Sequence, residues 1–163
     1  MSRLQGFREW KGHAWLGLAA RLYLAWVFLM ACGFKIVAPA SFAMDVATYD
    51  ILPLSLINAM ALVLPWVELF AGVMLLVGLR VRAASLLVAG MMAVFMVALG
   101  LALAKGLDMS CGCFASSGAE EDPISYLTML RDGGWLVVAL YVMLFDRRPL
   151  GVERIPAVER RFG

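Results

Sequence analysis

The sequence predicts an all-α membrane protein, a bundle of four transmembrane helices with both termini on the cytoplasmic side. Three observations predict it. Hydrophobic residues make up 63% of the chain and charged residues only 16%, where a soluble domain carries about 25% charged residues. The apolar residues fall into four stretches, each close to the roughly 20 residues that a helix needs to cross a bilayer core about 30 Å thick. Basic residues gather in the two tails and one turn, as they do in the cytoplasmic segments of multi-pass proteins. A chain of 163 residues holds four such crossings with short connections, so one membrane domain over 1–163 is expected, with no separate soluble domain. The net charge of +2 argues against nucleic acid as a partner and makes the lipid bilayer the first partner implied.

The first crossing is expected over 14–37, after a polar start with Arg3, Arg8 and Lys11, and is interrupted only by Arg21 and Lys35. A signal peptide is the competing reading, because Ala38-Pro39-Ala40 loosely resembles a cleavage site, but the apolar region of such peptides runs about 7–15 residues and this one is longer. The connection from Ala38 to Ser55 carries Phe42, Val46 and Tyr49 at helical spacing and ends at Leu52-Pro53. That pattern suits either a short amphipathic helix lying in the interface or a plain loop. The second and third crossings, 56–79 and 83–104, are joined by Arg80-Val81-Arg82, which leaves room only for a turn and makes them antiparallel neighbours. The fourth, 126–145, contains Arg131, Asp132 and the helix-weakening pair Gly133-Gly134.

Orientation follows from charge. The N-terminal tail, the Arg80/Arg82 turn and the C-terminal tail hold ten of the fourteen basic residues. The other two connections carry Asp45, Asp50, Asp108, Glu120, Glu121 and Asp122, with Lys35 and Lys105 only at their edges. The expected location is therefore a bacterial-type inner (cytoplasmic) membrane, with the connection bearing Cys111-Gly112-Cys113 facing outward.

That cysteine pair is the strongest chemical signal in the sequence. An oxidising compartment permits a disulfide there, and closing one between residues i and i+2 needs a sharp turn that Gly112 allows. Strained, exposed disulfides belong to the labile, catalytic class, although a static disulfide or two idle thiols anchoring the loop remain alternatives. Cys32, near the outer end of the first helix, is a candidate third redox thiol or a small packing residue.

Arg21 and Glu68 are the ionisable residues deepest in apolar stretches, and such residues normally face the bundle interior and find partners. Depths counted from the cytoplasmic helix ends make an Arg21–Glu68 pair the preferred expectation, with a snorkelling Arg21 as the alternative. Arg131 and Asp132 begin the fourth helix at about the height of Lys35, so a polar cluster under the cysteine loop is expected there, or plain interfacial anchoring. Arg21, Glu68 and Arg131 are thus the candidate quinone or polar-network residues. Pro65, three residues before Glu68, should loosen the helix and free a carbonyl. A haem held by two histidines is excluded because His13 is the only histidine. No phosphate-binding glycine loop occurs, and no metal-ligand cluster beyond the two cysteines.

Arg21, Gly33-Phe34-Lys35, Phe42 to Tyr49, Leu52-Pro53, Leu64-Pro65 with Glu68 and Gly72, and Cys111-Gly112-Cys113-Phe114 followed by Arg131 together form a pattern that resembles the DoxX-like superfamily, specifically its MauE branch. The resemblance covers about residues 14–145. It implies a four-helix membrane bundle associated with thiol–disulfide or quinone-linked electron transfer, often beside a thioredoxin-like extracytoplasmic partner. The chain departs from the usual pattern in having Ala115 where a glycine commonly follows, and Asp132 where asparagine commonly follows the arginine. Two functions are then expected as alternatives. One is a relay in which Cys111 and Cys113 exchange electrons between such a partner and a membrane quinone. The other is a non-catalytic membrane subunit or assembly factor of a larger respiratory or electron-transfer complex.

Overall fold

A computed structural model describes residues 13–107 and 125–145. Cys111 and Cys113 lie outside the described residues. Among the described residues five helices form: α1 His13–Val37, α2 Pro39–Thr48, α3 Leu54–Val77, α4 Val81–Ala104 and α5 Tyr126–Phe145. No strand occurs among the described residues. Four helices, over Trp15–Val37, Leu54–Val77, Val81–Ala104 and Tyr126–Phe145, are long and apolar enough to cross a membrane. At 1.5 Å per residue the shortest is about 30 Å long.

Local chemistry sets the boundaries. Pro39 stands in the first turn of α2, where a missing N–H costs nothing. Pro53, extended at ψ 152°, sets the start of α3 two residues before the expected Leu56. Gly78 ends α3 in the left-handed region (φ 72°), with the Gly78 and Leu79 N–H groups both donating to the Met74 carbonyl. The chain then reverses through Arg80, also left-handed, and α4 begins at Val81, two residues before the expected start. Ser125 caps α5, its Oγ accepting from the Thr128 N–H at 3.2 Å.

The helices pack mainly as two antiparallel pairs, α1 with α3 and α4 with α5, and the chain neighbours α3 and α4 touch less. The core lies between the pairs, where Leu24, Ala25 and Phe28 of α1 meet Ala71 and Leu75 of α3, Val88 of α4 and Val142 of α5. Gly72 allows α3 to approach α1 closely: a Cβ there would stand 3.0 Å from Leu29 Cγ and 3.5 Å from the Ala25 carbonyl oxygen. Large apolar side chains point outward, among them Trp66, Phe70, Val94, Leu127 and Val137. In water each forgoes roughly 1.5–3 kcal/mol of burial. Lipid tails covering this surface remove that penalty.

At one end of the bundle α2 folds back over the helices. Tyr49 meets Phe95 of α4 edge to face, with centroids 6.3 Å apart. The Lys105 ammonium donates to the Asp50 carbonyl at 3.0 Å, which ties the end of α4 to the segment after α2.

Candidate functional site

Lys35 occupies the last turn of α1 and turns inward, where its Nζ donates to Glu68 Oε1 at 2.6 Å. Both side chains are less than a tenth exposed. The Lys35 ammonium also sits over the Phe42 ring, 5.0 Å from its centroid, so α2 adds a cation–π contact. Glu68 lies one turn after Pro65, which has no N–H to give the Ala61 carbonyl. Glu68 Oε2 is buried and has no hydrogen-bond partner among the described residues.

The expected Arg21–Glu68 pair does not form, because Glu68 takes Lys35 instead. Helix register explains the correction. With Gly72 against Leu29 and Ala25, the antiparallel α1 and α3 match residues whose numbers add to about 100. Arg21 is then level with the end of α3 near Gly78, about 15 Å from Glu68 at 1.5 Å per residue. Depth counted from helix ends treats the helices as flush, and these two are staggered. Arg21 is nonetheless almost completely buried.

A cleft of about 990 Å³ lies between α3 and α4, and the Lys35–Glu68 pair and α2 form part of its wall. Its walls are almost wholly apolar, from Met60 and Leu64 on α3 to Leu86, Leu87 and Phe95 on α4. Leu86, Leu87 and Val94 are exposed, so the cleft opens through the side of the bundle, toward lipid in a membrane-spanning chain. Helix α2 contributes Phe42, Asp45, Val46 and Tyr49, spaced i, i+3, i+4 and i+7 along one face. Burial pushes the Asp45 carboxyl up from its ordinary value.

Cys32 lies within electrostatic reach of Lys35 and Glu68, and Arg131 borders the cleft through Trp135, which lines it. Cys32, one turn before Lys35, is buried, and its Sγ donates to the Leu29 carbonyl of its own helix at 3.2 Å. Arg131 Nε contacts Asp132 Oδ1 at 3.1 Å and its guanidinium lies 5.1 Å from the centroid of the Trp135 ring. Trp135 Nε1 in turn donates to the Tyr23 hydroxyl at 3.1 Å, fastening α5 to α1. Arg131 and Asp132 therefore form a polar cluster without Lys35, which turns toward α3. Reasoning from sequence missed Lys35 as the partner of Glu68, and Asp45 as a wall of the cleft. The available signals were a lysine still inside the helical stretch and an acidic residue on the Phe42–Tyr49 face.

These features define a multi-pass membrane protein whose internal ion pair lines a side-opening apolar cleft. Residues 13–145 match the family described as methylamine utilisation protein MauE. The chain is also 32% identical, over 115 residues, to the methylamine utilization protein MauE of Paracoccus denitrificans, covering 70% of this chain and 61% of that protein. The chain belongs to the MauE family. No solved structure matches it.

Proposed function

We propose that this chain is a membrane redox protein serving a methylamine-utilisation-type system, exchanging electrons between an extracytoplasmic thiol partner, such as a thioredoxin-like protein, and a membrane quinone. Cys111 and Cys113 are the exchanging pair. Forming their disulfide releases two electrons and two protons, the number that converts a quinone to its hydroquinone. The observation that carries the reading is the side-opening cleft with the Lys35–Glu68 pair in its wall. A long apolar channel accepts an isoprenoid tail from the bilayer, and the polar groups in its wall offer hydrogen bonds to a ring oxygen. Charge asymmetry supports a cytoplasmic membrane location, with the termini inside and the cysteine connection in the oxidising compartment. Cys32 belongs to this reading only as a third thiol that shuttles electrons inward; as a packing residue its replacement by alanine leaves turnover unchanged.

Trapping tests the proposal. With Cys111→Ser or Cys113→Ser, the remaining thiol attacks a partner's disulfide and no resolving thiol follows, so a mixed disulfide accumulates. The expected result is a reducible adduct containing this chain and one thiol protein, lost in the double variant. A stoichiometric complex with cofactor-bearing proteins, with no adduct, supports the non-catalytic subunit instead.

A further inference from the structure

Glu68 makes the cleft able to tell the two forms of a quinone apart. Its Oε1 is engaged by Lys35 at 2.6 Å, whereas Oε2 is buried without a hydrogen-bond partner among the described residues. An ionised carboxylate only accepts, and has about four lone-pair sites. Its terminal torsion is soft, so the group turns readily to meet a donor arriving from the cleft that it lines. The oxidised quinone ring presents carbonyl oxygens, which also only accept. The reduced ring presents hydroxyls, which donate. The Lys35 ammonium has three donors and can serve an oxygen of either form, favouring the carbonyl as the better acceptor, so any preference for the reduced form must come from Glu68. Only the reduced form answers the spare acceptor of Glu68, and hydrogen bonds to an ionised acceptor are roughly twice as strong as neutral ones.

We propose that the Lys35–Glu68 cleft binds a lipid-soluble hydroquinone more tightly than the corresponding quinone, with Glu68 accepting from a ring hydroxyl, and thereby directs electrons from the thiols to the quinone. The directional part rests on the relay reading; the binding preference does not. In the reaction two S–H bonds of a dithiol break and one S–S bond forms. The two electrons and two protons pass to the quinone, whose two carbonyl oxygens become hydroxyls. Tighter binding of the reduced form raises the potential of the bound couple, and a tenfold preference amounts to about 30 mV for two electrons.

The test is anaerobic calorimetric titration of the full chain in lipid nanodiscs with a short-tailed benzoquinone and its hydroquinone. It uses the Cys111→Ser/Cys113→Ser variant, so that no electrons move during the measurement. The expected result is a hydroquinone Kd about tenfold below that of the quinone. Glu68→Gln should bring the ratio near one, since an amide both donates and accepts. Gly90 lines the cleft, and a Cβ there meets nothing within 4 Å. Gly90→Leu should therefore fold normally, fill the channel and weaken both ligands at least tenfold (roughly 1.4 kcal/mol). Equal affinities, tighter binding of the quinone, no binding of either form, or indifference to Gly90→Leu would each overturn the proposal. If Glu68→Gln fails to fold, the ratio in the parent and the Gly90→Leu result still decide. The preference persisting while the wild type moves no electrons from thiol to quinone removes the relay and leaves the binding site. Electron flow with equal affinities does the opposite.

Discussion

Lys35 and Glu68, thirty-three residues apart in the sequence, meet at 2.6 Å as a buried ion pair joining the last turn of α1 to the middle of α3. The pair holds two charges where lipid tails and apolar side chains surround them, and each is tolerable there only because of the other. Phe42 covers the ammonium from α2, so the same contact fastens that short helix to the bundle.

Removing one partner leaves the other charged and uncompensated. Lys35→Met or Glu68→Leu alone should destabilise the protein by about 3–5 kcal/mol, whereas the Lys35→Met/Glu68→Leu double variant should recover most of the loss. Reversible unfolding in mixed micelles measures this. Losses that simply add in the double variant would show that the two side chains do not interact.

The close approach of α3 to α1 is testable at Gly72. A Cβ there meets Leu29 at 3.0 Å, so Gly72→Val should cost about 1–3 kcal/mol by overpacking and should also loosen the Lys35–Glu68 contact one turn away. Gly134→Ala is the control. It faces open space within a helix and should stabilise by about 0.5–1 kcal/mol. Equal effects at both positions would contradict the packing described.

The carboxyl of Asp45, raised by burial on the cleft face of α2, gives a pH dependence of definite sign. The folded state holds this proton to higher pH than the unfolded chain, whose carboxyl titrates near about 3.9. Its contribution is fully present below that value and is lost as pH rises through the folded pKa. Between pH 4 and 7 the wild type should therefore lose stability relative to Asp45→Asn, read as the difference between their unfolding midpoints. A difference that grows in the opposite direction would mean that Asp45 is stabilised as a carboxylate.

Much of the fold was legible because bilayer thickness imposes a length on every crossing, and four stretches of that length stand out from the polar segments. The spacing of Phe42, Val46 and Tyr49 left a short interfacial helix and a plain loop both open; α2 is a helix, and that face lines the cleft. The ion pair was not legible. Its identity depends on the stagger of α1 against α3, and that stagger is set by Gly72 against Leu29, a contact between residues far apart in the chain. The cleft was hidden for a related reason. The tight turn at Gly78 to Arg80 suggests intimate packing of α3 with α4, yet each packs more extensively on another helix, leaving space between them.

The charge pattern predicts an orientation that labelling can check. Cysteines placed singly in a background lacking the native three, at position 41 of α2 and in the Arg80/Arg82 turn, should respond oppositely to an impermeant thiol reagent applied to intact cells. Ser41→Cys is exposed on α2 and should react, while Arg82→Cys should react only after lysis. The reverse pattern would invert the protein and place the Cys111–Cys113 connection in a reducing compartment.

The most direct measurement is thiol-driven reduction of a quinone by the purified chain in proteoliposomes, followed by absorbance under anaerobic conditions with a reduced thioredoxin-like protein as donor. The wild type should form hydroquinone and partner disulfide in equal amounts, and the Cys111→Ser/Cys113→Ser variant should lose the activity, because no thiolate remains in that connection to exchange with the partner. Gly90→Leu should slow it without disturbing the fold. Full activity in the double cysteine variant would contradict the relay, and no activity in the wild type would leave a membrane subunit without redox chemistry of its own.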